Sequence, residues 1–492
     1  MRIVQVAAEF APFAKAGGLG EVIVGLSREL TRRGEQVDVI LPKYDFILPH
    51  HLRQLQLEVP DFKTTESGKQ VANAMWSAEA EHCRLHLLEA RHPSGYFHRG
   101  KIYGCEDDIP RFLYFCRAVA EYLKLKKQPI DILHLHDWHV SALAPLIRDL
   151  FQKEVPVKAI VLTIHNIEYQ GHCATHDLDA IGLKGERYLT PASLQDAVYP
   201  KSINLLKGGI LYADSITAVS PTYAKEILTR ANGFHLDATL RSVSHKLTGI
   251  LNGIDYHLWN PASDAHLFAP YSHTDSLPKI LEAKKANKHA LEQRFGLSNS
   301  GRPWVGAVTR LVPQKGPELI EEGLRQTLPL GGSFALLGST PSPKLQKHFE
   351  SLKHQFEGHK QAFIQLTYDE ALAHQLFAAL DFLLVPSHFE PCGLTQLIAM
   401  RYGALPIVRA TGGLKDTVFD CDDAMIPLSK RNGFSFLQAT PQAMTATLQR
   451  ALHFWRTDPT AVHATIQRVM QLDYGWQKPA NEYLRLFKKI LQ

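Results

Sequence analysis

No apolar run in the 492 residues approaches the ~20 needed to cross a bilayer, and the opening MRIVQVAAEF lacks a basic segment leading into a long apolar one. A membrane-spanning chain is therefore not expected, and a cytoplasmic location is. Paired cysteines are missing too. Cys83, Cys105, Cys116, Cys173, Cys392 and Cys421 are scattered with no CxxC, which argues against a zinc ribbon or a disulfide framework and suits reduced thiols. Charge of one sign is scarce: the formal net charge is +5 and the basic residues are dispersed, so neither nucleic acid nor an anionic membrane is expected as a partner. A modest basic excess still suits a phosphorylated small molecule. There is no low-complexity tract. What remains is a globular chain, 45% hydrophobic, long enough for two or three domains of ~100 to 200 residues.

Short β-branched runs alternate with helical patterns throughout, the signature of an α/β protein with parallel sheets. MRIVQVAAEF, EQVDVILP, DILHLH, AIVLTIHN and ADSITAVS read as strands in the first half, and WVGAVTR, SFALLGS, AFIQLTY, DFLLVPS and ALPIVRA in the second. GLGEVIVGLSRELTRRG has helical spacing and closes at Gly34, while SPTYAKEIL opens with Ser220 as N-cap and Pro221 in the first turn. The rhythm breaks at Leu247–Asp275, rich in Asn, Asp, Gly, Pro and aromatics, and the domain junction is placed at its start. The expected architecture is two doubly wound, Rossmann-like domains facing a cleft, with ligand at the carboxyl ends of both sets of strands.

KAGGLGEV, Lys15 to Val22, follows a strand and opens a helix. Its glycines let backbone N–H groups approach a ligand that a Cβ would hold off, and Lys15 adds a point charge suited to a diphosphate. The alternative is a turn that needs glycine only for packing. A dinucleotide fingerprint would read GxGxxG with an acidic residue ending the next strand, whereas this chain has GGxG and ends that strand at VILP. HLHDWH, His134 to His139, supports two readings: a zinc site built from His134, His136, Asp137 and His139, or Asp137 and His139 as partners for sugar hydroxyls with His134 and His136 structural. His165 and Asn166 close the strand VLTIHN and would lie beside Asp137 if the two strands are neighbours.

In the second half TRLVPQKG offers Arg310 and Lys315 to one anion, against the plainer reading of a solvated loop. Strand DFLLVPS delivers Glu390 to a domain edge, Pro391 and Gly393 make a bend, and LTQLIAM starts a helix whose first N–H groups lack internal partners. Tyr368 is a candidate platform for a nucleotide base, against a place in the core. Together these groups suit a nucleotide-activated sugar.

With the motifs assembled, the chain resembles bacterial glycogen synthases and plastid starch synthases. KAGGLGEV, HDWH, THN, NGID, TRLVPQKG, FEPCGLTQL and TGGLKDTV occur in the family's order over nearly the whole chain. The resemblance implies a retaining glycosyltransferase of the GT-B type that moves glucose from ADP-glucose to the non-reducing 4-hydroxyl of an α-1,4-glucan such as glycogen, with no metal or other cofactor. It further implies that Lys15, Gly17 and Gly18 contact the diphosphate and neighbouring sugar, that Asp137 and His165 line the glucose subsite, and that Arg310 and Lys315 neutralise departing ADP. Glu390 would bind the transferred glucose, the turn Cys392, Gly393, Leu394 and Thr395 would offer amides, Asn252 matches NGID, and Tyr368 falls near adenine. Residues 1–247 would form the acceptor-side domain, 248–474 the nucleotide-sugar domain, and 475–492 a helix returning to the first. The chain departs from the usual family pattern at Ala16 and Glu21, and Ile398 stands where many relatives of the fold place a second glutamate. Three rival readings are a zinc-dependent hydrolase using HLHDWH, a metal–diphosphate site at DCDD (Asp420 to Asp423), and a glucan-binding protein without catalysis.

Overall fold

A computed structural model describes residues 1–48, 50, 52–298 and 301–492. The chain divides into two compact units, Met1–Gly253 together with Trp476–Gln492, and Ile254–Gly475. In the first unit the strands are β1 (Arg2–Val6), β2 (Gln36–Pro42), β3 (Arg53–Glu66), β4 (Lys69–Ala80), β5 (Cys83–Ala90), β6 (Ile130–His136), β7 (Val157–Ile164), β8 (His172–Cys173), β9 (Ile203–Asn204), β10 (Ser215–Ala218) and β11 (Leu247–Gly249). The large sheet has nine strands in the order β11-β10-β7-β6-β1-β2-β5-β4-β3, and β8 pairs with β9 separately. From β11 to β5 every pairing is parallel. Beyond β5, β4 and β3 are added antiparallel.

The parallel strands form because their apolar residues occupy both faces, as strands covered by helices on both sides require. Ile3, Val4 and Val6 of β1, Ile132, Leu133 and Leu135 of β6, and Ile160, Val161 and Leu162 of β7 are all fully buried. The helix Gly18–Arg32 packs on this sheet and stops where Gly34, at φ 85°, turns its N–H back to the Thr31 carbonyl at 2.9 Å. Ser220 caps its helix by accepting from the Tyr223 N–H at 3.2 Å, with Pro221 in the first turn. The last helix, Gln477–Ile490, buries Ala480, Tyr483, Leu484 and Phe487 within the first unit. At its start Trp476 lies so close to Gly25 that a Cβ there would stand 2.0 Å from the indole nitrogen.

The second unit holds β12 (Trp304–Arg310), β13 (Ser333–Ser339), β14 (Ala362–Gln365), β15 (Phe382–Val385), β16 (Leu405–Arg409) and β17 (Phe434–Phe436). They form one parallel sheet in the order β14-β13-β12-β15-β16-β17. In both units the first strand of the wound sheet has its second strand on one side and its fourth on the other. Such a reversal leaves a crevice at the carboxyl ends of those two strands, where ligands of open α/β sheets bind. The crevices fall between β1 and β6 in the first unit and between β12 and β15 in the second.

Candidate active site

In the first unit the chain leaves β1 through the glycine turn. Buried Glu9 accepts hydrogen bonds from the main-chain N–H of Ala16 (2.8 Å) and Gly17 (3.0 Å), and from the Tyr103 hydroxyl (2.9 Å). Two of the turn's amides are thus held by the chain's own carboxylate, a partner the motif does not announce. Its only sequence signal is a glutamate at a strand's carboxyl end just ahead of a glycine-rich turn. Lys15 Nζ pairs with Glu21 at 2.8 Å. Gly17 has an extended backbone, φ −160°, that any residue adopts, and a Cβ there would meet nothing within 4 Å. Neither conformation nor packing within the protein calls for glycine at this position.

Asp137 leaves β6 at φ 61°, a conformation side chains rarely adopt and one that costs about 1–3 kcal/mol unless its surroundings impose it. The neighbouring strand imposes it here. The Asp137 N–H donates to the Thr163 carbonyl at 3.0 Å, and its Oδ1 accepts from the main-chain N–H of His165 (2.7 Å) and Asn166 (3.4 Å). The pairing of β6 with β7 therefore brings Asp137, His165 and Asn166 together. Burial pushes the Asp137 carboxyl up to about 7, opposed by those two N–H donors, and burial holds the His165 imidazole down at about 3, so it is neutral. Asn252 is buried, and its side-chain oxygen has no hydrogen-bond partner among the described residues.

In the second unit the turn after β12 ends at Gly316, φ 65°, where a Cβ would stand 2.7 Å from the Pro386 carbonyl. That close approach lets two loops lock together. The His388 N–H donates to the Gln314 carbonyl at 2.8 Å, Gln314 Nε2 to the Phe389 carbonyl at 3.2 Å, and Arg409 Nε to the Ser387 carbonyl at 2.8 Å. Lys315 Nζ is thereby set 2.6 Å from Glu390 Oε2, which also accepts from Ser387 Oγ at 2.9 Å. Glu390 is only 5% exposed, and a charge so buried is tolerable because it is paired and hydrogen-bonded.

The bend after Glu390 rests on a second glycine pair. Gly413 donates its N–H to the Glu390 carbonyl at 3.1 Å, and Cβ atoms on Gly412 and Gly413 would lie 1.9 Å from that oxygen and 2.0 Å from the Cys392 carbonyl. Gly393 sits at φ 74°, and its carbonyl accepts from Gln396 Nε2 at 2.8 Å. Cys392 is buried; Leu394 caps the helix Thr395–Arg401, anchored by buried Leu397, Ala399 and Met400. Arg310 ends β12 exposed. Tyr368 follows edge strand β14 and is 71% exposed, so it is not a core aromatic. The structure thus sets Lys315, Glu390 and the Cys392–Thr395 turn side by side, with Arg310 at the end of the same central strand and Tyr368 after the edge strand.

Two metal readings do not survive. His134 engages Thr163 Oγ1 at 2.7 Å; His136 divides its nitrogens between His165 and Gln5, each at 3.0 Å; Asp137 faces backbone amides; and the His139 ring packs on Trp138, Tyr103 and Phe112. His134, His136, Asp137 and His139 do not converge on a point. Among the described residues three candidate ligands come within 4.8 Å of one another only at Cys105, Asp107 and Asp108. In DCDD, Arg450 occupies Asp420 at 2.9 and 3.0 Å and Asp422 at 2.7 Å, so an internal cation fills the place proposed for a metal.

Residues 2–242 match the family described as starch synthase catalytic domain, and residues 290–461 match glycosyl transferases group 1. A glycogen synthase of Protochlamydia amoebophila is 44% identical over 100% of this chain and 99% of its own. A probable starch synthase 4 of Arabidopsis thaliana, chloroplastic/amyloplastic, is also 44% identical, over 99% of this chain and 47% of its own. Among solved structures, the catalytic domain of starch synthase IV from Arabidopsis thaliana, bound to ADP and acarbose, superposes with a TM-score of 0.95 at 43% identity, covering 100% of this chain and 99% of that one. Sucrose-phosphate synthase from Thermosynechococcus elongatus, at 18% identity and a TM-score of 0.59, shares the fold. Relatives of this kind are glycosyl-transferring synthases, which supports neither the hydrolase nor the non-catalytic glucan-binding reading. The chain belongs to the glycogen and starch synthase family of GT-B glycosyltransferases.

Proposed function

We propose that the protein is a glycogen synthase that transfers glucose from ADP-glucose to the non-reducing 4-hydroxyl of an α-1,4-glucan with retention of configuration. The observation that carries the assignment to a site is the Lys315–Glu390 pair, 2.6 Å apart at the carboxyl ends of β12 and β15. A cation and a carboxylate at one reversal point suit a substrate that is anionic at its leaving group and becomes positive at its sugar. The ADP held by the Arabidopsis relative supports the choice of nucleotide. Residues 248–474 carry the nucleotide sugar in this reading, residues 1–247 the acceptor side, and 475–492 complete the first domain. Six free cysteines and the lack, among the described residues, of a helix long and apolar enough to cross a membrane support a cytoplasmic enzyme.

In the proposed reaction the bond from the glucose C1 to the distal phosphate oxygen breaks, the acceptor 4-hydroxyl oxygen bonds C1 from the same face, and its proton passes to the departing phosphate. Lys315 and Arg310 act on the charge gathering on ADP, with the amides of Cys392 to Thr395. The Glu390 carboxylate opposes positive charge on the sugar ring. Asp137 and His165 hold glucose hydroxyls, Lys15, Gly17 and Gly18 meet the diphosphate side, Asn252 completes that surface, and Tyr368 stacks on adenine. Incubating the purified protein with glycogen and either ADP-glucose or UDP-glucose tests the reading. ADP release matched by equal growth of α-1,4 chains is expected, faster than with UDP-glucose; nucleotide release without chain growth would overturn it.

A further inference from the structure

Behind His165 lies a buried file of side chains that the proposed mechanism leaves unused. Gln5 on β1 donates from Nε2 to Ser27 Oγ on the helix Gly18–Arg32 at 2.7 Å, and its Oε1 lies 3.0 Å from His136 Nε2. His136 Nδ1 in turn lies 3.0 Å from His165 Nε2. Gln5, Ser27 and His136 are all fully buried. Burial holds the imidazoles of His136 and His165 well below their usual range, so both are neutral and each carries one ring hydrogen. A single hydrogen therefore fills the gap between the two rings.

We propose that Gln5 and His136 are positioning residues that fix the tautomer of His165, leaving its Nδ1 as a bare hydrogen-bond acceptor. Gln5 gives its amide hydrogen to Ser27 and turns its carbonyl to His136. His136 must then donate from Nε2, which leaves its Nδ1 with a lone pair. His165 must donate to that lone pair from Nε2, and its own Nδ1 is left without a hydrogen. No group among the described residues bonds that Nδ1. An acceptor there takes the hydrogen of a hexose hydroxyl and leaves the hydroxyl oxygen richer in electrons as positive charge grows on the ring. A ring hydrogen at Nδ1 would withdraw density instead. The catalytic consequence rests on His165 lying against glucose, as proposed above; the tautomer does not.

A long-range 1H–15N correlation spectrum of the full-length protein, labelled at its histidine ring nitrogens, reads the tautomer directly. The His165 signals are those lost in His165→Gln. Protonated Nε2 and bare Nδ1 are expected in the unsubstituted protein. Gln5→Leu removes the acceptor for His136, so the His165 pair of shifts should move toward a mixture of tautomers. The same variant should lose roughly tenfold in kcat, as when an outer partner that orients a histidine is removed, with KM for ADP-glucose little changed. A hydrogen on Nδ1 in the unsubstituted protein, which a reversed Gln5 carboxamide would produce, overturns the proposal whether or not Gln5→Leu folds. So does a folded Gln5→Leu whose His165 shifts and kcat are both those of the unsubstituted protein. Failure to use ADP-glucose alongside the expected tautomer would instead sink the proposed function and leave this inference standing.

Discussion

Each unit builds its crevice from a glutamate and a Gly-Gly turn, and the two use these parts in opposite ways. In the first, the Glu9 carboxylate itself holds the turn through the Ala16 and Gly17 amides, while Gly17 faces open space. In the second, Glu390 holds its turn with the main-chain carbonyl, and Gly412 and Gly413 are pressed against protein backbone. The second arrangement leaves the Glu390 carboxylate to Lys315 and Ser387. The glycines of the second turn are therefore required by packing, whereas neither packing nor conformation requires Gly17; Glu9 is a brace, and Glu390 is the carboxylate that the proposed reaction turns to its substrate.

Substitutions can break or sharpen that contrast. The largest effect is expected from Glu390→Gln, which keeps shape and loses charge: kcat in glucosyl transfer should fall about 100- to 1,000-fold, with glycogen binding unaltered in a pull-down assay. Gly413→Ala forces a methyl to within 2.0 Å of the Cys392 carbonyl, and urea unfolding should show a loss of about 1–3 kcal/mol together with reduced turnover. Glu9→Gln should act mainly on stability, costing about 1–2 kcal/mol by the same measurement, because an amide satisfies the turn and Tyr103 less well. Were its kcat to fall as far as that of Glu390→Gln, the contrast between the two glutamates would be wrong. Gly17→Ala should have the smallest effect on stability, within ~0.5 kcal/mol, yet raise KM for ADP-glucose. Unchanged kinetics in that variant would mean that no ligand uses the open side of the first turn.

Although the parallel strands β5, β11 and β17 went unread, the other parallel strands were legible because burial on both faces writes each of them as a compact apolar run. The antiparallel addition of β3 and β4 was not. β3 is largely exposed and polar, and Pro60 within it argues against a strand until its place at the sheet edge is known, where a missing N–H costs little. The motifs pointed to Lys315 and Glu390 separately. Their pairing depends on the His388–Gln314 bond between loops 74 residues apart (388 − 314), which no local pattern encodes. Glu9 went unread for a similar reason, since its function is defined by amides that arrive only when the chain turns back. HLHDWH offered a zinc reading that does not hold: His134 and His136, two apart on β6, share one face with their rings 4.1 Å apart, but the partners they meet are Thr163, Gln5 and His165.

In the proposed reaction the Lys315 ammonium, held 2.6 Å from Glu390, stabilises charge on the leaving nucleotide. Single-turnover transfer from ADP-glucose to glycogen by Lys315→Ala, with glycogen affinity measured on the same preparation, tests it most directly. A transfer rate lowered by about 100-fold or more at unchanged glycogen affinity is expected. A rate equal to that of the unsubstituted protein would contradict it.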